Sequence, residues 1–217
     1  MNSKRIVKLT IATWPLSCVI GILIVLINYI SLFISIALAP PPFSPLQNYM
    51  SSLGNSTYNP NGAIIYNGSV IVSGFLFLFF FIGLFQWYSD RKRDKIILVA
   101  TQIVGVLLAF IFTLTGFYSE DFKPQHVFWS IVAGIFGFLA NVFMAFYLII
   151  QKESIKTISY FVVGFMGFYI IFLFILSPQH VLTEWVVRTA GDINFILMII
   201  NFKHIYQVRN KLKLEIH

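Results

Sequence analysis

The sequence predicts an all-α, polytopic membrane protein: a six-helix transmembrane bundle, both termini cytoplasmic, with a short amphipathic interfacial helix in the first outer loop. Three observations predict it. Of the 217 residues 58% are hydrophobic and 11% charged, where a soluble domain carries about 25% charged, and the mean hydropathy is +0.83. Six apolar stretches are long enough to span, at about residues 10–38, 66–88, 96–118, 126–150, 158–177 and 185–206. Thirteen of the fifteen cations fall on one side of that arrangement: Lys4, Arg5, Lys8, Arg91, Lys92, Arg93, Lys95, Lys152, Lys156, Lys203, Arg209, Lys211 and Lys213. Lys123 and Arg188 are left for the other side, so the positive-inside rule puts both ends in the cytoplasm. The length suits a single transmembrane domain over 1–217.

These numbers exclude several classes. The net charge of +7 follows the topology and does not mark a nucleic-acid surface. One cysteine, Cys18, allows neither an intrachain disulfide nor a thiolate metal cluster. The first apolar run is too long for a cleaved signal peptide. No P-loop, dinucleotide fingerprint, nucleophile elbow or kinase signature is present.

The first span opens on Trp14-Pro15, and Ser17, Gly21, Asn28 and Ser35 recur on one face, with Asn28 placed for a hydrogen bond between helices. The loop from Ala39 to Ile65 begins Pro40-Pro41-Pro42 and carries the expected lid helix over 45–53. Ser44 suits the N-cap, Pro45 the first helical position and Gly54 the exit. Leu46, Tyr49, Met50 and Leu53 then form one apolar stripe, with Gln47, Asn48, Ser51 and Ser52 opposite. The second span is bulky with Phe, and Gly74 permits close approach of a neighbour. Thr101, Gly105, Ala109 and Thr113 in the third span face Ser130, Gly134, Gly137 and Asn141 in the fourth, so these two are expected to pack as a tight antiparallel pair. The basic tail from Val208 suits anionic headgroups.

The acids divide by side. Asp90, Asp94, Glu153 and Glu215 mix with cytoplasmic cations and read as solvated surface charge. Glu120, Asp121, Glu184 and Asp192 belong to the outer side with His126 and His180. In the last span Thr183 can cap the helix, and Glu184, Arg188 and Asp192 follow at steps of four on one face. Asp192 then lies about 12 Å below the start of that helix, where an ionisable group needs a partner and is a functional candidate by default. Arg188 is that partner, serving either a working site or a clasp between helices.

Glu120 and His126, a short turn apart, can act as a general acid–base pair. The metal signal is weak: no HxxxH or HExxH pair lies on one helix, and His126, His180 and Asp192 would have to combine from separate segments. The composition names no cofactor and sets no oligomeric state.

Three stretches resemble one family: Ser52-Leu53-Gly54 followed by Asn67 and Gly74; Gly116-Phe117-Tyr118 with Glu120, Asp121 and His126; and a late Arg188. Together they are similar to the prokaryotic membrane proteins of the domain of unknown function 998 family, and more distantly to the Frag1/DRAM/Sfk1 membrane proteins. The chain departs from the pattern at Tyr118-Ser119, where the family leads one to expect a proline just before the acid and this chain has none. The resemblance implies six helices and a polar outer site, and no reaction.

The expected protein is therefore a multi-pass protein of the cell membrane whose partner is a membrane lipid and not nucleic acid. Its outward polar pocket takes a lipid or isoprenoid-type amphiphile through Asn48, Ser52, Asn67, Glu184, Arg188 and Asp192. Two other readings stay open. One is a lipid hydrolase or transferase using Glu120 and His126, with or without a metal; the other is a scaffold or small transporter.

Overall fold

A computed structural model of the chain describes residues 14–175 and 181–216. The described residues form six α-helices and three short 3-10 turns, without strands. In order they are α1 (Leu16–Leu38), α2 (Ala63–Ile82), α3 (Lys92–Phe117), α4 (Lys123–Ile150), α5 (Lys156–Ile175) and α6 (Val181–Ile216). Five are long and apolar enough to cross a membrane, α2 and α4 being extended by the 3-10 turns Gly83–Trp87 and Glu120–Phe122. Among the described residues α5 contributes a shorter apolar stretch, Lys156–Ile170. At 36 residues α6 is about 54 Å long, well beyond a hydrocarbon core of about 30 Å.

Local chemistry sets the boundaries. α1 begins just after Pro15 and stops at Ala39, which is extended at ψ 147° ahead of Pro40. Its buried face is the predicted one, with Ser17, Gly21, Asn28 and Ser35 all inward. The Asn28 amide bonds across to Ser73 Oγ of α2 at 2.9 Å. α6 is already helical at Val181, so Thr183 lies in its first turn rather than at its cap.

The lid differs from expectation. Residues 45–47 make a turn and Ser51–Gly54 a 3-10 helix, in place of one helix over 45–53. Ser44 does cap the turn, its Oγ accepting the Leu46 N–H at 3.2 Å while Asn48 Oδ1 accepts the Ser44 N–H at 3.0 Å. A continuing helix would need the Asn48 carbonyl for the Ser52 N–H. The Trp185 indole N–H of α6 donates to that carbonyl at 2.8 Å instead, and the Ser52 N–H turns to the Tyr49 carbonyl at 3.2 Å. Tertiary bonding thus outcompetes the helix ladder. The apolar stripe splits with it: Met50 and Leu53 are buried, and Leu46 is 70% exposed.

Asn59 ties this loop down. Its amide donates to the Ser35 carbonyl and hydroxyl and to the Leu53 carbonyl, while its oxygen accepts the Gly62 N–H that opens α2.

The small-residue stripes also pair differently. The stripe of α3 serves α2, where a Cβ on Gly74 would sit 2.1 Å from Thr113 Oγ1 and 3.0 Å from the Ala109 carbonyl. Gly105 lies as closely against the Phe81 ring. The partner stripe on α4 meets nothing so near: a Cβ on Gly134 would touch no atom within 4 Å. α3 and α4 do pack together, but a Cβ on Gly137 would come no nearer than 4.0 Å to Leu108 Cδ1 of α3. Four-residue spacing identifies a face able to approach closely; which helix fills it depends on the facing side chains.

The two ends contrast. The end holding Glu120, Asp121 and Glu184 is termed the acidic end, and that holding Arg91 to Lys95 and Arg209 the basic end. At the basic end Trp87, Tyr147 and Phe202 are fully buried, with the Tyr147 and Phe202 rings stacked at 5.6 Å. Trp87 Nε1 donates to the Phe202 carbonyl at 2.9 Å, and the Tyr147 hydroxyl donates to the Trp87 carbonyl at 3.0 Å. Asp94, expected to be solvated, is 0% exposed. It accepts from Gln151 Nε2 at 3.0 Å and pairs with Arg93 at 3.3 Å. Arg209 completes the network, donating to Gln151 Oε1 at 2.6 Å, and stands 3.7 Å from Glu153. Asp94 is drawn inward because Gln151, at the end of α4, offers a donor that needs an acceptor.

Two outcomes follow in detergent. Gly74→Leu forces the α2–α3 backbones apart and lowers stability by about 2–3 kcal/mol, whereas Gly134→Leu leaves it within about 0.5 kcal/mol. Asp94→Ala strands the Gln151 amide and costs about 2–3 kcal/mol. Thermal unfolding of the purified variants measures each.

Candidate functional site

A cavity of about 390 Å³ opens in the acidic half of the bundle, with walls from all six helices. Its position follows from the packing: α2 and α3 interlock through glycines, whereas α4 and α6 touch sparsely. The glycines of α4 and α6 leave the gap. A Cβ on Gly134 or Gly191 would meet nothing within 4 Å, and both residues line the cavity. Ser130 and Gly134 are exposed as well as lining it, so among the described residues the cavity reaches the bundle surface beside α4.

The acidic end of the cavity is polar. Arg188 Nε donates to Asp192 Oδ2 at 3.1 Å, the i,i+4 pair on α6. Its guanidinium lies 5.9 Å from the centre of the Phe112 ring. The terminal nitrogens have no protein acceptor among the described residues and belong to the cavity wall. One turn above, Glu184 is held by the 3-10 turn: Oε1 accepts the Ser51 N–H at 3.0 Å and Oε2 the Ser51 hydroxyl at 3.3 Å. Tyr66 of α2 stands among these charges, feeling Glu184, Arg188 and Glu120. A small void of about 20 Å³ beside Tyr29, Arg188 and Asp192 has room for one water.

Deeper, the walls turn apolar with Phe77, Phe81, Leu108, Met144 and Phe195. Amides interrupt them. Asn194 Nδ2 donates to Asn141 Oδ1 at 3.1 Å, and Asn141 Nδ2 donates to the Gly137 carbonyl at 2.8 Å.

The cavity wall divides the sequence-predicted residues. Asn67, Glu184, Arg188, Asp192 and His126 all line the cavity. Asn67 also donates to the Gly54 carbonyl at 2.8 Å, and a Cβ on Gly54 would lie 2.3 Å from its Oδ1. Asn48 and Ser52 do not line it; they shape the loop, and Ser51 is the serine that reaches the site. Asp192, expected at the floor, lies partway down, and the cavity continues to Asn194.

Glu120 and His126 are not joined by a hydrogen bond or ion pair among the described residues. His126 Nδ1 stands 2.8 Å from the Tyr118 carbonyl, and Glu120 stands 3.7 Å from Lys123 Nζ. The turn before α4 points the two side chains at different partners. Asp121, next to Glu120, instead accepts the Ser56 N–H at 2.9 Å and ties the first loop to the second. His180 lies outside the described residues. Among the described residues no group of three or more His, Cys, Asp or Glu is arranged to hold a metal.

Sequence reasoning missed Asn194, Tyr66 and Ser51. A lone amide in mid-span, two residues beyond Asp192, is a legible signal of polar function inside the bilayer. Tyr66 and Ser51 carry no such mark; only the fold brings them to Glu184.

Fold and site together define a membrane-spanning helical bundle with a cavity polar at one end and apolar below. Residues 22–198 match the family described as "Protein of unknown function (DUF998)", and the chain belongs to that family. No curated protein and no solved structure matches it.

Glu184→Ala removes the acceptor for both Ser51 donors. Hydrogen exchange of residues 50–54 is expected to accelerate about tenfold or more, with the helices unchanged, since a bond to a carboxylate contributes about 1.5–3 kcal/mol.

Proposed function

We propose that this protein binds a lipid or isoprenoid-type amphiphile drawn sideways from the outer leaflet of the cell membrane. The distribution of cations supports that orientation, because it turns the acidic end outward. One observation carries the reading: a single cavity is charged at the acidic end, apolar deeper in, and reaches the bundle surface beside Gly134. An amphiphile matches that gradient, its tail covering the Phe and Leu wall.

The head sits at Arg188. With Nε committed to Asp192, the two terminal nitrogens form a fork suited to a carboxylate or phosphate. Glu184 and Glu120 nearby disfavour a polyanion, so a singly charged or zwitterionic head fits best. The 3-10 turn carrying Ser51 covers the head from above. Catalysis by Glu120 and His126 has less support, since the two share no hydrogen bond or ion pair among the described residues: His126 Nδ1 lies 2.8 Å from the Tyr118 carbonyl and Glu120 lies 3.7 Å from Lys123.

Stearate is a suitable probe, titrated into the delipidated protein in detergent and followed by native mass spectrometry. Arg188→Gln is expected to weaken binding by about tenfold or more. Gly134→Trp fills the opening and reduces binding without lowering the unfolding temperature, because among the described residues no atom stands within 4 Å of a Cβ at that position. Unchanged binding in both variants would sink the proposal.

A further inference from the structure

The charges on the cavity wall do not balance. Among the described residues two carboxylates and one guanidinium line it, Glu184, Asp192 and Arg188, and all three are partly exposed. His126, the other titratable side chain of that end of the wall, sits on α4 against the Tyr118 carbonyl. Arg188 and Asp192 are each other's counter-ion at 3.1 Å. Glu184 has none: the neutral Ser51 N–H and hydroxyl hold its oxygens, and among the described residues it forms no ion pair. Glu120 is close enough for its charge to be felt at Glu184, which deepens the deficit. The cation beside Glu120, Lys123, is 74% exposed, so solvent screens it.

Neutral donors stabilise a carboxylate without cancelling its charge, and a charge in a low-dielectric site favours a partner of opposite sign. Ser51 fills only part of the roughly four acceptor positions of the Glu184 carboxylate, so a further N–H donor has a place there. The order along α6 is the second observation. Glu184 stands outermost, Arg188 follows about 6 Å further in, and the apolar wall with Phe195 lies beyond. The complementary molecule therefore has its cation outermost, then its anion, then its tail.

From this pattern we infer that the head of the amphiphile is zwitterionic, a phosphodiester on the terminal nitrogens of Arg188 and, one short spacer further out, a primary ammonium on Glu184. The inference rests on the amphiphile reading above and names the class of its head group. A primary ammonium suits Glu184 better than a quaternary one, because a carboxylate accepts N–H donors and a quaternary nitrogen has none. An acidic head alone would still reach Arg188 and would leave Glu184 without a counter-ion.

The test uses the full chain, delipidated in detergent, with three lysophospholipids of one acyl chain as probes in native mass spectrometry. Their heads are phosphoethanolamine, phosphocholine and phosphoglycerol. The ethanolamine lipid is expected to bind about tenfold tighter than either of the others, the effect of one charge-assisted contact. In Glu184→Gln, which keeps an oxygen for Ser51 and is checked for folding by thermal unfolding, that preference disappears while the glycerol lipid binds as before or better. If Glu184→Gln does not fold, the wild-type comparison decides alone. Equal affinity for the ethanolamine and glycerol lipids overturns the zwitterionic head and leaves the amphiphile site standing. A choline lipid bound as tightly as the ethanolamine lipid overturns the primary ammonium. A preference kept in Glu184→Gln overturns the role of Glu184. Binding of none of the three overturns both readings.

Discussion

A polar group beneath a membrane surface has no water to fall back on, and this bundle is organised by that constraint. At the basic end a chain of buried polar groups closes on itself, Asp94 with Gln151, Gln151 with Arg209 and Arg209 with the Trp87 carbonyl, while the buried Ser17 hydroxyl stands outside it. These bonds join the ends of α3, α4 and α6 around the Trp87, Tyr147 and Phe202 rings. At the acidic end the same residue types are only half used. Arg188 spends one nitrogen on Asp192, and among the described residues the buried Asn194 Oδ1 and Glu120 Oε2 have no hydrogen-bond partner. Closed at one end and receptive at the other, the molecule has a direction.

Glycine placement makes the asymmetry possible. Where a glycine faces a bulky partner the helices interlock, as Gly105 does with Phe81 and Gly74 with Thr113. Where glycines line the cavity, as Gly134 of α4 and Gly191 of α6 do, they leave room. The same residue that lets two backbones meet in α2 and α3 therefore keeps the cavity open in α4. The loop above adds a cover held from two directions, by Asn59 against Ser35 and by Glu184 against Ser51. Both ties are side chain to backbone or hydroxyl, well suited to hold a short turn that has little helix ladder of its own.

Much of this was legible in the residues alone. Apolar length and cation distribution gave the helices and their alternation, and the inward face of α1 could be read from Ser17, Gly21, Asn28 and Ser35. The vertical series Glu184, Arg188, Asp192 was visible because i,i+4 spacing is a local property of any helix. The lid was not legible as built. Its helical pattern is real, but the Asn48 carbonyl is claimed by Trp185, a residue 137 positions away. Asp94 misled for the same reason: its neighbours in sequence are exposed cations, and its partner Gln151 lies 57 positions on.

What the sequence by itself determined is whatever depends on hydropathy and short spacing: the number of helices, the acidic and basic ends, and the inward face of α1. Those follow from transfer of side chains out of water and from helix periodicity, which need no knowledge of neighbours. Only the tertiary structure decided which stripe interlocks and which stays open, that Ser51 rather than Ser52 meets Glu184, and that Glu120 and His126 turn to different partners. Each is a contest between distant groups for one donor or one volume, and its outcome is set by how the helices stand together.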